Sequence, residues 1–480
     1  MSRRTRPLAT RIARTTVPTL AGLAATMLVA VASAAAQQPA PSPSAPPRPA
    51  FENLRFREDW SRAPQGDAFD PLKHIALADS GAVWLSLGGH VRARAERAEN
   101  FLGGGTGVRT DNFGLVRAQL HADLHVGSNL RLFVEGRQAL AQNRDLPGGN
   151  RAIDRNDLDW GNAFAEVSGT VLGRSAVLRF GRQELSMGRE RILSPLDWAN
   201  VRRIFQGATL EARQGAFTVG AFVTRPVTLL PTAADVPDVH TLFWGTTIAW
   251  QRPGQATLVE GAVLVKATDA AGATPFAQRT TLTSRIVLPL EGTPLTAELE
   301  GGAQVGASGN TAVRAFMFAS DLTWSRREGW APALTVGYDW SSGTSLGDVP
   351  QSSTWDQLYP LAHAYAGYAD VLGRRNLVEE RIVAQVSPTA ALRLRLAAHA
   401  FQRAHLSDAV YDVTGAVLRA SVVGASGDIG GEFDATAQWR WGRHLRVDGG
   451  VARFTPGQFM RDTGAALPYT WMFLSVTTTF

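Results

Sequence analysis

Apolar and polar residues alternate with a period of two along most of the chain from Val83 to Phe480. Successive side chains of a β-strand point to opposite faces, so this period predicts strands with one apolar face. The pattern divides into eighteen predicted strands. They are residues 83–97, 113–126, 129–140, 161–170, 175–184, 206–213, 216–226, 242–251, 256–267, 277–289, 294–306, 313–326, 331–340, 377–387, 390–403, 428–441, 444–455 and 469–480.

The links between these predicted strands alternate in length. Every second link is short, as at 127–128, 214–215 and 442–443, whereas most of the others are longer, and the longest is 341–376. Short turns at one rim, long loops at the other and an even strand number are typical of outer-membrane barrels. A soluble sandwich or propeller does not require this alternation. The sequence therefore predicts an all-β fold, a transmembrane antiparallel β-barrel of about 18 strands over residues 83–480.

Aromatic residues lie near the ends of many predicted strands. Trp and Tyr at both rims of a barrel are typical of the two membrane interfaces. The pattern assigns Trp84, Trp250, Trp324, Trp330, Trp439 and Trp441 to the short-turn rim, and Trp244, Trp340, Tyr469 and Trp471 to the long-loop rim. For each Trp, a position inside the barrel is the alternative, and both interpretations stay open. The last predicted strand has an apolar face and ends at Phe480. We expect it to close the barrel and to present the insertion signal to the barrel assembly machinery.

The first 82 residues lack the alternation. Five arginines precede an uncharged run at 15–36 that ends in small residues, which predicts a cleaved secretory signal peptide at 1–36. Residues 37–50 are rich in Pro, Ser and Ala and predict an extended tether, whereas 51–82 have no clear pattern; together, 37–82 are predicted to be periplasmic. The chain has no Cys, and no later uncharged apolar run approaches the ~20 residues of a membrane-spanning helix. These features predict the outer membrane of a Gram-negative cell, with its lipid around the barrel.

The balance of charge changes when the predicted signal is removed. That segment holds five of the 48 basic residues, which leaves 43 against 42 acidic residues, so the sequence gives no indication of a nucleic-acid partner. Lys73 and Lys266 are the only lysines, and the remaining basic residues are Arg. The planar donor fork of Arg suits carboxylate, phosphate or sulfate groups. A GC-rich genome that favours Arg codons is the alternative explanation.

The positions that alternate with the apolar ones along each predicted strand carry many charged residues. Because the apolar positions face lipid, the charged ones face the interior and predict an aqueous lumen. In the first strand this charged phase contains His90, Arg92, Arg94 and Glu96. The same phase elsewhere contains Arg117, Arg131, Glu135, Arg137, Arg279, Arg285, Glu298, Glu300, Arg381, Arg393, Arg395, His399, Asp434, Arg446 and Asp448. Unpaired ions are too costly in a dry core, and a barrel of eighteen strands has room for water. Each of these ions either lines a pore or pairs across the lumen to set strand register, and both interpretations stay open.

Signals of catalysis are weak. His121 and His125 have the spacing of metal ligands on a helix, but the alternation places them on a strand. The acidic segment 154–159 lacks the spacing and the closing Glu of a calcium loop, and no Ser-centred nucleophile elbow is present. The sequence therefore predicts no enzyme, no cofactor and no metal site.

Two segments resemble the alginate-export family of outer-membrane barrels. The first comprises GRQEL at 181–185, Gly188, Arg191 and WANVRRIFQG at 198–207; the second comprises TWDQLYP at 354–360, His363, Tyr365, Gly367, YAD at 368–370 and Asn376. The resemblance extends over roughly 83–480 and implies an eighteen-stranded barrel whose Arg-rich pore passes the anionic polysaccharide alginate. It also implies a long periplasmic turn that gates the pore. This sequence has only short turns on that side, so a porin for smaller anionic solutes stays open.

The link after the fifth predicted strand carries four arginines, which on a loop folded into the lumen would bind successive carboxylates. The predicted pore and anion-binding residues are Arg92, Arg94, Arg117, Arg131, Arg137, Arg189, Arg191, Arg202, Arg203, Arg393 and Arg395. We expect Arg202 and Arg203 to contribute most to anion selectivity. The predicted function is passive passage of an anionic saccharide or a smaller anionic solute. The alternative is a plugged barrel that binds surfaces through its long loops.

The fifth predicted strand contains one conflict. Arg182 and Glu184 share the phase of Leu178 and Phe180, which face outward. Either Gly181 marks a bulge that turns the two charged residues inward, or both lie beyond the edge of the hydrocarbon layer.

Overall fold

A computed structural model describes residues 48–78, 81–146, 149–269, 276–345, 347 and 351–480. The predicted signal peptide and residues 37–47 of the predicted tether lie outside these ranges and stay predictions. No helix within the described ranges is long and apolar enough to cross a membrane.

Eighteen antiparallel strands form one closed barrel, which confirms the predicted fold class. Strands β1 to β18 are Val83–Glu99, Thr110–Val126, Leu130–Gln142, Asn156–Val171, Arg174–Gln183, Phe205–Gln214, Phe217–Thr228, Thr241–Trp250, Leu258–Thr268, Ala277–Pro289, Leu295–Ser308, Thr311–Ser325, Ala333–Ser341, Leu377–Val386, Leu392–Arg403, Asp428–Trp441, Leu445–Pro456 and Tyr469–Thr479. Each strand pairs with the next, and β1 pairs with β18. Closure leaves no strand edge unpaired, as a sheet in lipid requires.

Several short helices and strands lie outside the barrel strands, at the two rims and in the lumen. They are the helix α1 at Gln458–Thr463, the 3₁₀ turns Arg55–Arg57, Asp70–Leu72, Phe101–Gly104 and Ala362–Ala364, and the short strands Ile75–Ala76, Val236–Pro237, Gln351–Ser352, Val410–Tyr411 and Val417–Arg419.

The predicted strand boundaries differ most from the structure at β4. This strand begins at Asn156, earlier than the predicted residue 161. The pairing of β3 with β4 shifts register between Val134 and Gly136 and again between Arg137 and Ala139. Such irregularities interrupt the period of two in the sequence. The pattern therefore predicts the start of this strand too late.

The links follow the predicted alternation with one exception. Links on the short side are turns such as 172–173 between β4 and β5, and long loops occupy the other rim. On the long-loop rim, β11 and β12 are nevertheless joined by the two residues 309–310. Two long loops matter for the lumen: L3, residues 184–204 between β5 and β6, and L7, residues 342–376 between β13 and β14.

The outer surface is apolar, and large side chains such as Leu178, Phe180 and Trp244 are exposed on it. A continuous apolar surface of this kind belongs in lipid. The predicted aromatic belts are wrong at three positions, because Trp84, Tyr469 and Trp471 are buried on the inner face. Trp84 stacks on the ring of His125 at 3.8 Å, and Trp471 belongs to the largest cluster of buried apolar residues.

The seam between β1 and β18 is completed by Phe480. Its backbone N–H donates to the carbonyl of Gly89 and its carbonyl accepts from the N–H of Gly89, both at 3.0 Å. The Phe480 ring packs against Phe69 at 5.3 Å.

Deletion of Phe480 is expected to lower the yield of inserted barrel, because it removes two backbone hydrogen bonds from the closing seam. Heat-modifiable migration of the membrane fraction in gels measures inserted barrel, and Phe480→Tyr is the control that keeps the backbone bonds and the ring. Equal yields of the deleted and the intact chain would contradict this role of Phe480.

Candidate pore and anion-binding site

Loop L3 folds into the lumen, where ion pairs fix it. Arg202 contacts Glu184 at 2.6 Å and Asp197 at 2.5 Å, and all of these belong to the loop. Burial opposes the charge of Asp197, but the guanidiniums of Arg117 and Arg202 outweigh it and hold the pKa of this carboxyl well below its usual value. Asp197 is therefore an anion that neutralises arginines of the loop and the wall.

A second anchor of L3 is Arg191. Its side chain is 1% exposed and contacts Glu298 at 3.1 Å, Glu300 at 3.2 Å and Asp321 at 2.6 Å. These carboxylates come from the inner face of β11 and β12. The loop is thus attached to the wall six strands away from its own strands.

The conflict at Arg182 and Glu184 is resolved by the end of β5. Gly181 has φ of +137°, and an added Cβ would approach the Cα of Phe164 to 2.7 Å, so this position requires glycine. The pairing with β6 continues without a bulge to Gln183. Glu184 follows the strand, turns inward and is buried against Arg202. Arg182 donates to the carbonyl of Asp235 at 2.6 Å.

Loop L7 packs against L3 inside the barrel. The N–H of Tyr359 donates to the carbonyl of Ile192 at 3.0 Å, and the N–H of Ser194 donates to the carbonyl of Tyr359 at 2.9 Å. The hydroxyl of Tyr365 donates to the carbonyl of Arg189. The two loops therefore form one body that spans the lumen.

The structure brings the eleven predicted arginines to the lumen wall and to L3, but it neutralises most of them. Seven contact carboxylates: Arg94 with Glu96, Arg117 with Asp197, Arg131 with Asp123, Arg137 with Asp235, Arg189 with Glu298, and Arg191 and Arg202 as described. Arg92 and Arg203 donate to backbone carbonyls, those of 197–199 for Arg92 and those of Ser194 and Tyr359 for Arg203. Burial lowers the pKa of Arg203 to about 10.

Arg393 and Arg395 differ from the other nine. Within the described ranges, neither guanidinium has a hydrogen bond or an ion pair with the protein; Arg395 lies 5.1 Å from the ring of Tyr368. The register explains this, because Arg395 faces Gln385 on β14 and Thr436 on β16, and Arg393 faces Gln438. None of these neighbours is charged. The two arginines therefore present free donor groups to the lumen.

The lumen contains two chambers. The lower chamber, on the short-turn side, consists of adjoining cavities of about 360 and 290 Å³ that share Ala364, Gln385 and Arg395. Arg393 also lines it. The upper chamber, on the long-loop side, has a volume of about 560 Å³ and extends from Phe101 in the first loop to Asp412 in the loop after β15.

Three aromatic residues line both chambers and separate them; we call them the aromatic barrier, Trp198, His363 and Tyr368. The rings of Trp198 and His363 stack at 3.8 Å, and Tyr368 meets His363 edge-on at 4.3 Å. The guanidinium of Arg94 lies 4.1 Å from the centre of the Trp198 ring. Trp198 belongs to L3 and the other two to L7, so the body formed by the loops lies between the two chambers.

The sequence predicts no individual role for these three residues, although the spaced aromatic residues of the longest loop, Tyr368 among them, favour a lid. They lie within the two segments that carry the family resemblance, at WANVRR and at the stretch 363–370, so a signal was present. Gln385 and Gln438 lie opposite the two free arginines and are uncharged, so they form no ion pair with them. Nothing in the sequence around either Gln indicates this role. Their importance depends on strand register.

A model of the alginate export family matches residues 83–473. The chain belongs to the alginate export family. No curated protein matches the sequence. The fold and the family are those of outer-membrane transport barrels, so this family member is an outer-membrane channel for solutes.

Three solved structures of Pseudomonas aeruginosa proteins have the same fold. The outer membrane protein OpdK is 12% identical with a TM-score of 0.56, over 82% of this chain and 98% of that one. OccD3 (OpdP) is also 12% identical with a TM-score of 0.56, over 85% of this chain and 93% of that one. OccK2 (OpdF), solved in complex with glucuronate, is 12% identical with a TM-score of 0.53, over 85% and 98%. At this identity the likeness concerns the fold alone.

Proposed function

We propose that this channel passes anionic saccharides or smaller anionic solutes, and that Arg393 and Arg395 attract them in the lower chamber. The observation that carries the proposal is that these two guanidiniums are free, whereas the other nine predicted arginines are satisfied by carboxylates or carbonyls. A fixed charge near a low-dielectric wall attracts counter-ions more strongly than the same charge on an open surface.

The chemistry of the site favours carboxylates. A guanidinium donates two parallel hydrogen bonds to a carboxylate, and two such groups on alternate residues of β15 offer successive positions to a moving anion. Glucuronate, the ligand in the complex of OccK2 (OpdF), is a sugar with one carboxylate and illustrates the solute class.

The double substitution of Arg393 and Arg395 by Gln is expected to lower the ratio of anion to cation permeability several-fold, because it removes both free cations from the path. Reversal potentials across planar bilayers with a KCl gradient measure this ratio. The preference of the unmodified channel is also expected to shrink in 1 M salt, where the screening length falls to about 3 Å.

The matched control replaces Arg326 and Arg327 by Gln. These two arginines lie at the same rim, on the turn between β12 and β13, outside the lumen. The control removes the same charge and is expected to leave the reversal potential unchanged. Cation preference in the unmodified channel, or equal reversal potentials for the two double variants, would refute the proposal.

The plugged-barrel hypothesis gives a different result in the same apparatus. The aromatic barrier and the paired loops favour it, because they fill the middle of the lumen. A permanently plugged barrel would give no ohmic current steps. Stepwise currents from the reconstituted protein would exclude it.

A further inference from the structure

We propose that residues 51–76, the N-terminal plug, form a releasable stopper in the periplasmic mouth of the barrel and control the open area of the channel. The sequence predicts no structure for this segment. The structure places it inside the barrel, below L3.

The N-terminal plug is an addition to a complete barrel. The barrel closes through β1 and β18, and the family model begins at residue 83, after the plug. Within the described ranges, the plug's one strand pairing with the barrel is that of Ile75–Ala76 with Trp84 and Leu85. Its removal therefore leaves every one of the eighteen strands with both of its neighbours.

The plug enters the lumen through an apolar anchor. The ring of Phe56 lies 6.0 Å from that of Phe133 on β3 and 5.3 Å from that of Phe164 on β4, and Leu54 completes the cluster. Phe133 is the fourth residue of β3, so the anchor lies roughly 10 Å from the rim at the usual rise per residue of a strand. This depth places Phe56 in the lumen and not at its edge.

A polar anchor fixes the plug to the seam of the barrel. Arg55 is buried, and its Nη1 and Nη2 donate at 2.9 Å to the carbonyls of Gly89 and Phe480 respectively. Glu58 pairs with the same guanidinium. The plug thus covers the part of the mouth below β1, β3, β4 and β18.

The tip of the plug contacts L3. Arg202 donates from Nη1 to the side-chain oxygen of Asn53 at 2.9 Å and from Nη2 to its carbonyl at 3.1 Å. Asn53 also lines the lower chamber. The plug and L3 therefore form a continuous bridge from the seam to the middle of the lumen, and the lower chamber is the space that they leave open.

The burial of one charged group of the plug opposes docking. Lys73 is buried with its Nζ 2.7 Å from the carbonyl of Leu87. Burial and the nearby Arg55 and Arg443, against the attraction of Glu58 and Asp67, lower the pKa of Lys73 to about 7. Docking therefore costs the Lys73 ammonium its hydration, and this cost offsets part of the apolar gain.

Release of the plug has two effects on the channel. It clears the lumen below β1, β3, β4 and β18, and it removes the two hydrogen bonds between Arg202 and Asn53. The released channel is therefore wider, while Arg202 stays paired with Glu184 and Asp197.

The test uses the otherwise intact chain with residues 51–76 deleted, so that the predicted signal and tether remain. Single-channel conductance and the largest passing size of polyethylene glycol are expected to rise several-fold over the unmodified channel. Equal conductance and equal size exclusion in a barrel that is heat-modifiable would overturn the proposal. The readout is pore size, so its outcome is independent of the ion preference tested above.

A second variant keeps the plug in place and does not depend on tolerance of the deletion. Because the chain has no Cys, Phe56→Cys with Phe164→Cys introduces one pair of thiols. A cleavable bifunctional thiol reagent should hold the conductance low, and reduction of the linker should raise it reversibly. Each single Cys variant with the same reagent is the control. A cross-linked channel that conducts as well as the reduced one would refute the role of the plug.

Discussion

Replacing Arg191 by Gln is expected to lower the free energy of unfolding by about 3–5 kcal/mol, the usual cost of removing one partner from a buried ion pair. Burial opposes the charge of Arg191, but the surrounding carboxylates outweigh it and raise the pKa of its guanidinium above the usual value. Without it, Glu298, Glu300 and Asp321 remain close together with less cationic compensation. Urea titration of the barrel in lipid vesicles measures the loss.

Arg189→Gln is the matched control for Arg191→Gln. Arg189 lies on the same loop as Arg191 and contacts the same Glu298, at 3.0 Å, but the Arg189 side chain is 55% exposed. Water screens such a pair, so the control is expected to cost no more than ~1 kcal/mol. Similar stability of the two variants would show that Arg191 does not anchor L3.

Replacing Trp198 by Ala is expected to raise single-channel conductance several-fold. The indole stacks on His363 and lies beside the guanidinium of Arg94, and it separates two chambers that are otherwise open on either side. The space that it leaves joins the chambers, and charged side chains on both sides, such as Arg393 below and Asp154 above, favour its filling with water. Conductance in planar bilayers and the exclusion size for neutral polymers measure the change.

Trp244→Ala is the control for Trp198→Ala. It removes an indole from the outer surface, where the side chain is exposed toward lipid. The control is expected to conduct like the unmodified channel. If Trp198→Ala conducts no better than this control, the narrowest point of the path lies elsewhere.

The barrel could be predicted from the sequence because its main determinant is local. Each strand carries its own period of two, and the alternation of short and long links gives the orientation without any long-range information. The predicted start of β4 is wrong because the register of its pairing with β3 shifts around Gly136, which interrupts the alternation. The facing of an aromatic residue near a rim is harder to predict than a strand: Trp84 shares the phase of His90, which faces the lumen, but it also lies where a membrane interface favours Trp.

The pairing of the lumenal charges could not be predicted, because the partners lie far apart in the chain. Arg92 meets carbonyls of residues 197–199, and Arg137 meets Asp235, only after L3 and the loop between β7 and β8 have folded inward. Periodicity identifies which side of the wall a residue faces, but not which loop covers it. The prediction that Arg202 and Arg203 contribute most to selectivity has no support in their contacts, which bury both guanidiniums among protein acceptors.

The contacts of Arg55 determine when the plug can form. This residue binds one carbonyl on the first strand and another at the last residue of the chain, so its binding site does not exist until the two ends of the sheet have met. The segment that leaves the ribosome before any strand is therefore among the last to reach its final position. Every newly assembled molecule can therefore complete the Arg55 contacts of its plug only after the first and last strands have paired. Synthesis order and docking order are opposite in this chain.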